Sequence, residues 1–249
     1  MSKKALVTNA TQYAGEPAVQ ALLADGYKVL AQDTSFSHQS SANDFATKFP
    51  GVLCTAIQDP IVLAKAAVET LGDIRVVISN DAYPAVHTPV AEGDVEALRA
   101  TLEAVVVYPY RLMQAMLPKL KAQNKSNIVF ITSCRTELPL LGGAIPDAAR
   151  AAANALVKSL SIELAPFGIP VNAIGPNYLY SEAYFPKAKF VDDPVGRNFI
   201  EQVVPVGRLG KPEELGELIL YLANMQGCFH TGSIIPFAGA WPAAPERPF

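Results

Sequence analysis

Ser133 and Arg150 are the two residues whose types and spacing best suit chemistry in this chain. They belong to the stretch from Ile131 to Arg150, ITSCRTELPLLGGAIPDAAR, which reads as the end of a buried strand, a loop, and the start of an Ala-rich helix whose first turn begins near Pro146 and Asp147. Reacting groups in an open α/β sheet gather just past the strand ends. The apolar run Val129-Phe130-Ile131-Thr132 would deliver the Ser133 hydroxyl to that mouth, where it can hydrogen-bond a substrate oxygen. Arg150 carries a charge it does not give up, so it stabilises negative charge but cannot itself accept a proton.

A sheet must hold those side chains, and the rest of the chain supplies one. Short β-branched runs at Ala5 to Thr8, Tyr27 to Gln32, Val52 to Thr55, Val76 to Ser79, Ile128 to Thr132, Val171 to Ile174 and Ile234 to Phe237 alternate with helical periodicity. The helices fall at Gly15 to Asp25, Ala42 to Lys48, Ile61 to Leu71, a long segment from Asp94 to Gln123 broken near Pro109, Asp147 to Leu164 and Pro212 to Ala223. Seven strands alternating with helices predict a Rossmann-like, doubly wound parallel α/β sheet in a single domain spanning residues 1–249. The irregular stretch 175–193 follows a strand end and is expected to cover the substrate. A Pro-rich tail, 241–249, ends the chain.

Composition narrows the function classes. A net charge of -3 gives no polyanion footprint, so nucleic acid is not an expected partner. Cys54, Cys134 and Cys228 are an odd, widely spaced set that suits a reducing compartment and offers no metal pattern. Cys134 follows Ser133 with no histidine near it in sequence, and reads as a strand-end thiol. The N-terminus, MSKKALVTNA, lacks the apolar region of a signal peptide, and no stretch has the length of a membrane span. A cytoplasmic protein is expected.

The loop after the first strand is the second informative stretch. A dinucleotide site needs glycines there so that backbone amides approach the diphosphate at a helix N-terminus. The loop reads Thr8-Asn9-Ala10-Thr11-Gln12-Tyr13-Ala14-Gly15, with Asn9 and Tyr13 where glycines would stand. A phenol at position 13 would project into the volume of a diphosphate and nicotinamide. Asp33, at the ribose position after the second strand, is then inherited or structural.

Taken together, Ser133, twelve residues, Pro146, three residues and Arg150, with Thr8, Tyr13 and Gly15, resemble the halohydrin dehalogenase branch of the short-chain dehydrogenase/reductase superfamily. So does Gly175-Pro176-Asn177-Tyr178-Leu179, similar to the run that encloses the halide in that family. The resemblance covers nearly the whole chain. It implies that Tyr13, Pro176, Asn177, Tyr178 and Leu179 surround a halide, with Tyr83 close by on a strand-end loop. It also implies that Asp81 holds Arg150, a carboxylate fixing a guanidinium in a bidentate pose. Val105 falls at the dehydrogenase relay asparagine. A homotetramer is implied, packed through the helices starting at Asp94 and Asp147, with the tail of Trp241 and Phe249 crossing to a neighbour's pocket.

The reaction so implied needs no cofactor. Ser133 hydrogen-bonds a substrate hydroxyl, a tyrosinate takes its proton, and the alkoxide displaces a vicinal halide to give an epoxide; anions reverse it. The family's tyrosine position is Pro146, which has no ionisable group, and a positioned base is worth roughly 10²–10⁴ in rate. Three accounts fit these residues. Another group acts as base, Tyr178 or Tyr83 before Asp147; or the chain is a binding homologue without turnover; or it is a nicotinamide-dependent oxidoreductase in which Tyr13 moves aside.

Overall fold

The computed structural model describes residues 3–84, 87–123 and 125–244. Its strands are β1 Lys4–Val7, β2 Lys28–Gln32, β3 Leu53–Thr55, β4 Val76–Ser79, β5 Asn127–Ile131, β6 Val171–Pro176 and β7 Ile234–Phe237. All pair in parallel, in the order β3-β2-β1-β4-β5-β6-β7, so the winding reverses between β1 and β4. Such a reversal opens a crevice at the carboxyl ends of the strands.

Both faces of this sheet are buried, which is why its strands read as unbroken apolar runs. Ala5 and Val7 face one layer, with α1 (Gly15–Ala24) and α8 (Pro212–Ala223). Leu6 faces the other, with α3 (Pro60–Leu71), α5 (Tyr108–Lys121) and α6 (Ala144–Leu164). The period-two alternation of side chains along a strand produces this division.

Several boundaries differ from the sequence expectation. Helix α2 runs Gln39–Lys48, starting before Ala42. Asp94 does cap a helix, α4 (Val95–Leu102), its carboxylate accepting from Glu96 N. The long segment then widens into a π-turn over Glu103–Val107 before α5 begins, because Pro109 has no N–H to return to the preceding turn. Helix α6 begins at Ala144, so Pro146 is its third residue; the N–H it lacks is one of the four that a helix start leaves unpaired anyway.

The covering segment is also more ordered than expected. Leu179 bridges to Gly210, Ser181 to Phe185, and a π-turn spans Ala188–Asp192. A helix the sequence reading missed, α7 (Pro194–Val203), follows directly. Its start was legible: the Asp193 side chain caps Val195 N, and Pro194 occupies the first turn.

Candidate active site

Beyond the strand ends lies a cavity of about 350 Å³. Tyr13, Tyr83, Ser133, Pro146, Arg150, Pro176, Asn177 and Tyr178 all line it. Residues from five parts of the chain thus line one cavity. Asp81 and Leu179 do not line it. Leu179 is core, 1 % exposed, and Asp81 is buried behind the wall.

Ser133 sits one turn past β5, and its Oγ accepts from Arg135 N at 3.1 Å. That leaves its O–H free to donate. The Arg150 Nη1 donates to the carbonyl oxygens of Asp81 and Ile131, at 3.2 and 3.4 Å. The expected carboxylate–guanidinium pair is therefore not formed: Arg150 meets the main chain of Asp81. The Asp81 carboxylate turns instead to the loop after β1, with Oδ1 accepting from Thr8 Oγ1 (3.0 Å) and Asn9 Nδ2 (3.1 Å) and Oδ2 from Ser79 Oγ.

Burial pushes the Asp81 carboxyl up from 3.8 to about 6, against the pull of those hydrogen bonds and of Arg150. The folded chain thus binds this proton more tightly than the unfolded chain does. The associated stability is full below about pH 4 and is lost as pH rises through about 6, an effect on the order of 3 kcal/mol. Asp81→Asn removes that loss. Urea midpoints at about pH 4 and pH 7 should show the variant gaining on the parent at the higher pH; a pH-independent difference would reject this account.

The loop after β1 keeps the backbone of a glycine-rich turn without the glycines. Asn9 and Tyr13 hold φ of 45° and 42°, a region that side chains rarely occupy. The surviving Gly15 is required by space, since a Cβ there would lie 2.5 Å from Ala10 O. Asn80 stitches the loop, its Nδ2 donating to Asn9 O (3.0 Å) and Gln12 O (2.8 Å). Asp33 is structural: one oxygen takes Thr11 N and Oγ1, the other Ser35 N and Oγ. Tyr13 meets the Tyr184 ring edge-on at 5.1 Å. Burial raises the Tyr13 phenol well above its ordinary range, so it stays protonated and acts as a hydrogen-bond donor.

The wall after β6 corrects one detail. The N–H of Asn177 goes to Phe237 O and that of Tyr178 to Asn177 Oδ1. These amides are already engaged, one on β7 and one within the loop.

Sequence reading missed a charged cluster at the rim. Arg135 grips Asp147 Oδ1 through Nε (3.0 Å) and Nη2, while its Nη1 lies 3.0 Å from His87 Nε2. Arginine only donates, so this His87 nitrogen is the acceptor of the contact. Only one Asp147 oxygen enters this pair; Oδ2 is buried without a hydrogen-bond partner. Nothing in the local spacing of His87, Arg135 and Asp147 signals the cluster.

Also missed were Phe190 and Phe199, which with Tyr178, Phe185 and Trp241 form an aromatic wall. Tyr178, at φ 54°, packs against Phe185 (5.3 Å), Trp241 (5.6 Å) and Phe199 (6.5 Å). Burial lifts its phenol, partly opposed by Arg135, which counts against it as a proton acceptor. Trp241 packs on Tyr178, Cys134 and Ala238; Phe249 lies outside the described residues. Burial pushes the Cys134 thiol up to about 11, as suits an inert thiol. Among the described residues no His, Cys, Asp and Glu side chains cluster as metal ligands. Among the described residues no helix is long and apolar enough to cross a membrane.

This sheet order, with a serine past β5 and a cation on α6, defines a class. The chain belongs to the short-chain dehydrogenase/reductase superfamily: the profile of a family described as enoyl-(acyl carrier protein) reductase matches residues 14–239. An acetoacetyl-CoA reductase of Rhizobium meliloti (strain 1021) is 31% identical, over 96% of this chain and 98% of that protein. Within the superfamily the chain is similar to halohydrin dehalogenases. A solved structure described as a dehalogenation enzyme aligns with TM-score 0.92 at 35% identity, covering 96% of this chain and 98% of the other. A halohydrin dehalogenase bound to ethyl (2S)-oxiran-2-ylacetate aligns with TM-score 0.95 at 32% identity, over 99% and 100%.

Proposed function

We propose that this chain binds vicinal halohydrins and epoxides and interconverts them without a nicotinamide, at a rate held down by Pro146. The observation that carries this reading is that Tyr13 lines one cavity with Ser133 and Arg150, on a loop stitched shut by Asn80. The donors there suit an anion, and they occupy the approach a dinucleotide diphosphate would use.

In the forward direction the Ser133 O–H hydrogen-bonds the substrate hydroxyl oxygen, and the charge of Arg150 stabilises the negative charge that develops on it. With proline at 146, water takes the hydroxyl proton. The oxygen lone pair forms a bond to the adjacent carbon, and the carbon–halogen pair leaves with the halide. Tyr13 O–H and the Asn177 side-chain amide receive that anion.

The test is halide release and epoxide formation from a small chlorohydrin or bromohydrin. Ser133→Ala should lower the rate roughly 10- to 100-fold, the worth of a hydrogen bond to developing charge. Equal rates in the two proteins, or no release and no epoxide binding by the parent, would defeat the reading.

A second reading, a binding homologue without turnover, is favoured by Pro146 itself. In either case we propose a cytoplasmic homotetramer. Supporting this are three free thiols and the exposed apolar residues Tyr110 on α5 and Ile162 on α6, on helices of the kind that pack between subunits.

A further inference from the structure

We infer that the chain has a second binding site, outside the reacting cavity, for an amphipathic carboxylate: an unbranched apolar chain ending in one negative head. The site does not depend on the reaction proposed above.

A second cavity, of about 540 Å³, lies between the covering segment, α7 and the start of α8. Phe190 borders both cavities, whereas Ser133, Arg150 and Tyr13 border only the first. Ile200 and Leu209, 2% and 8% exposed, give the second an apolar floor, which Val191 and Pro212 extend. Main-chain bonds fix its back: Gly210 N donates to Tyr178 O (2.9 Å) and Tyr180 N to Gly210 O (3.0 Å). The volume lies within the roughly 300–1,000 Å³ of sites that bury a small ligand. A ten-carbon carboxylate has about twelve heavy atoms, which at the volume share of one water each displace roughly 360 Å³ and fit with room to spare.

The rim is charged. Lys187, Arg197, Arg208 and Lys211 line the cavity, against the single carboxylate of Glu201. Arg208 is engaged by Glu214, its Nη1 and Nη2 donating to the two carboxylate oxygens at 2.9 and 2.7 Å. Lys187, Arg197 and Lys211 form no ion pair among the described residues. Arg197 gives one N–H to Val191 O (3.1 Å) and keeps the others. Three uncommitted cations thus stand over an apolar floor with one carboxylate to offset them. An inorganic anion would meet the charges and leave the floor wet. A neutral chain would cover the floor and leave the charges unmet. A carboxylate on a hydrocarbon chain does both, and each methylene it buries adds roughly fourfold in affinity.

The experiment is calorimetry on the full chain with octanoate, decanoate, 1-octanol and inorganic phosphate. Octanoate should bind about 10-fold more tightly than 1-octanol, from the rim charges, and decanoate about 10-fold more tightly than octanoate, from two further methylenes. Raising the salt should weaken octanoate and leave 1-octanol unchanged, because exposed charges are screened. Lys187→Gln combined with Lys211→Gln should weaken octanoate about 5-fold. Both lysines are exposed, so these replacements spare the fold.

Octanoate that does not bind, or binds no better than 1-octanol, overturns the inference. So does unchanged octanoate affinity in the double variant: those lysines border only the second cavity, and the ligand would then be seated in the first. Phosphate bound as tightly as octanoate marks a site for an inorganic anion, and a double variant that sediments as a smaller species than the parent marks a surface between copies of the chain; either result also overturns it.

Discussion

Replacing Pro146 by Tyr is expected to raise halide release from a vicinal chlorohydrin by about 10²–10⁴, the usual worth of a positioned general base. The site has the means to use a phenol there. Position 146 lies in the first turn of α6 and lines the cavity. Restoring its N–H asks nothing of the helix, because a helix start leaves that donor free. Arg150 lies four residues on, hence on the same helix face, where its charge would favour the phenolate and lower that group's pKa. Arg150 is already anchored on two carbonyls, so its position does not depend on the new residue. The check is steady-state halide release by parent and variant, with binding of an unreactive alcohol as the control. A variant that binds the alcohol yet turns over no faster would mean that more than the base is missing.

Tyr13→Gly is expected to weaken halide binding tenfold or more, read as bromide inhibition of epoxide formation. The phenol donates to the anion and cannot become a competing phenolate, because burial holds its proton. Glycine would also relieve a left-handed backbone at φ 42° that costs a tyrosine roughly 1–2 kcal/mol. The variant thus separates the two histories of this loop: its backbone should relax while its anion site disappears. NADH should bind neither protein tightly, since Asn80 still ties the loop and Asp33 has both oxygens engaged. Calorimetry that finds tight NADH binding by the parent would overturn the cofactor-independent reading and favour the oxidoreductase one.

The site residues divide by how their positions are determined. Ser133, Tyr13 and the 176–178 run all follow strand ends, and a parallel sheet brings strand ends to one edge whatever lies between them. Their convergence was therefore readable from strand periodicity alone. Asp81 was placed correctly at a strand end but assigned the wrong partner, because the direction of a buried carboxylate depends on which donors surround it. Asn9, from the loop after β1, and Ser79, at the end of β4, outcompete the guanidinium.

Local rules of the chain, with alternating apolar runs and a loop lacking two glycines, were enough to determine the class of fold and to place the serine, the arginine and the Tyr13 phenol at one cavity. Only the folded arrangement decided that Arg135 grips Asp147 across twelve residues, that Trp241 packs on Tyr178, and that α7 completes an aromatic wall. Side-chain contacts between segments far apart in sequence leave no periodic trace. They are set by how the covering segment packs over the cavity, which becomes definite only once the sheet beneath it exists.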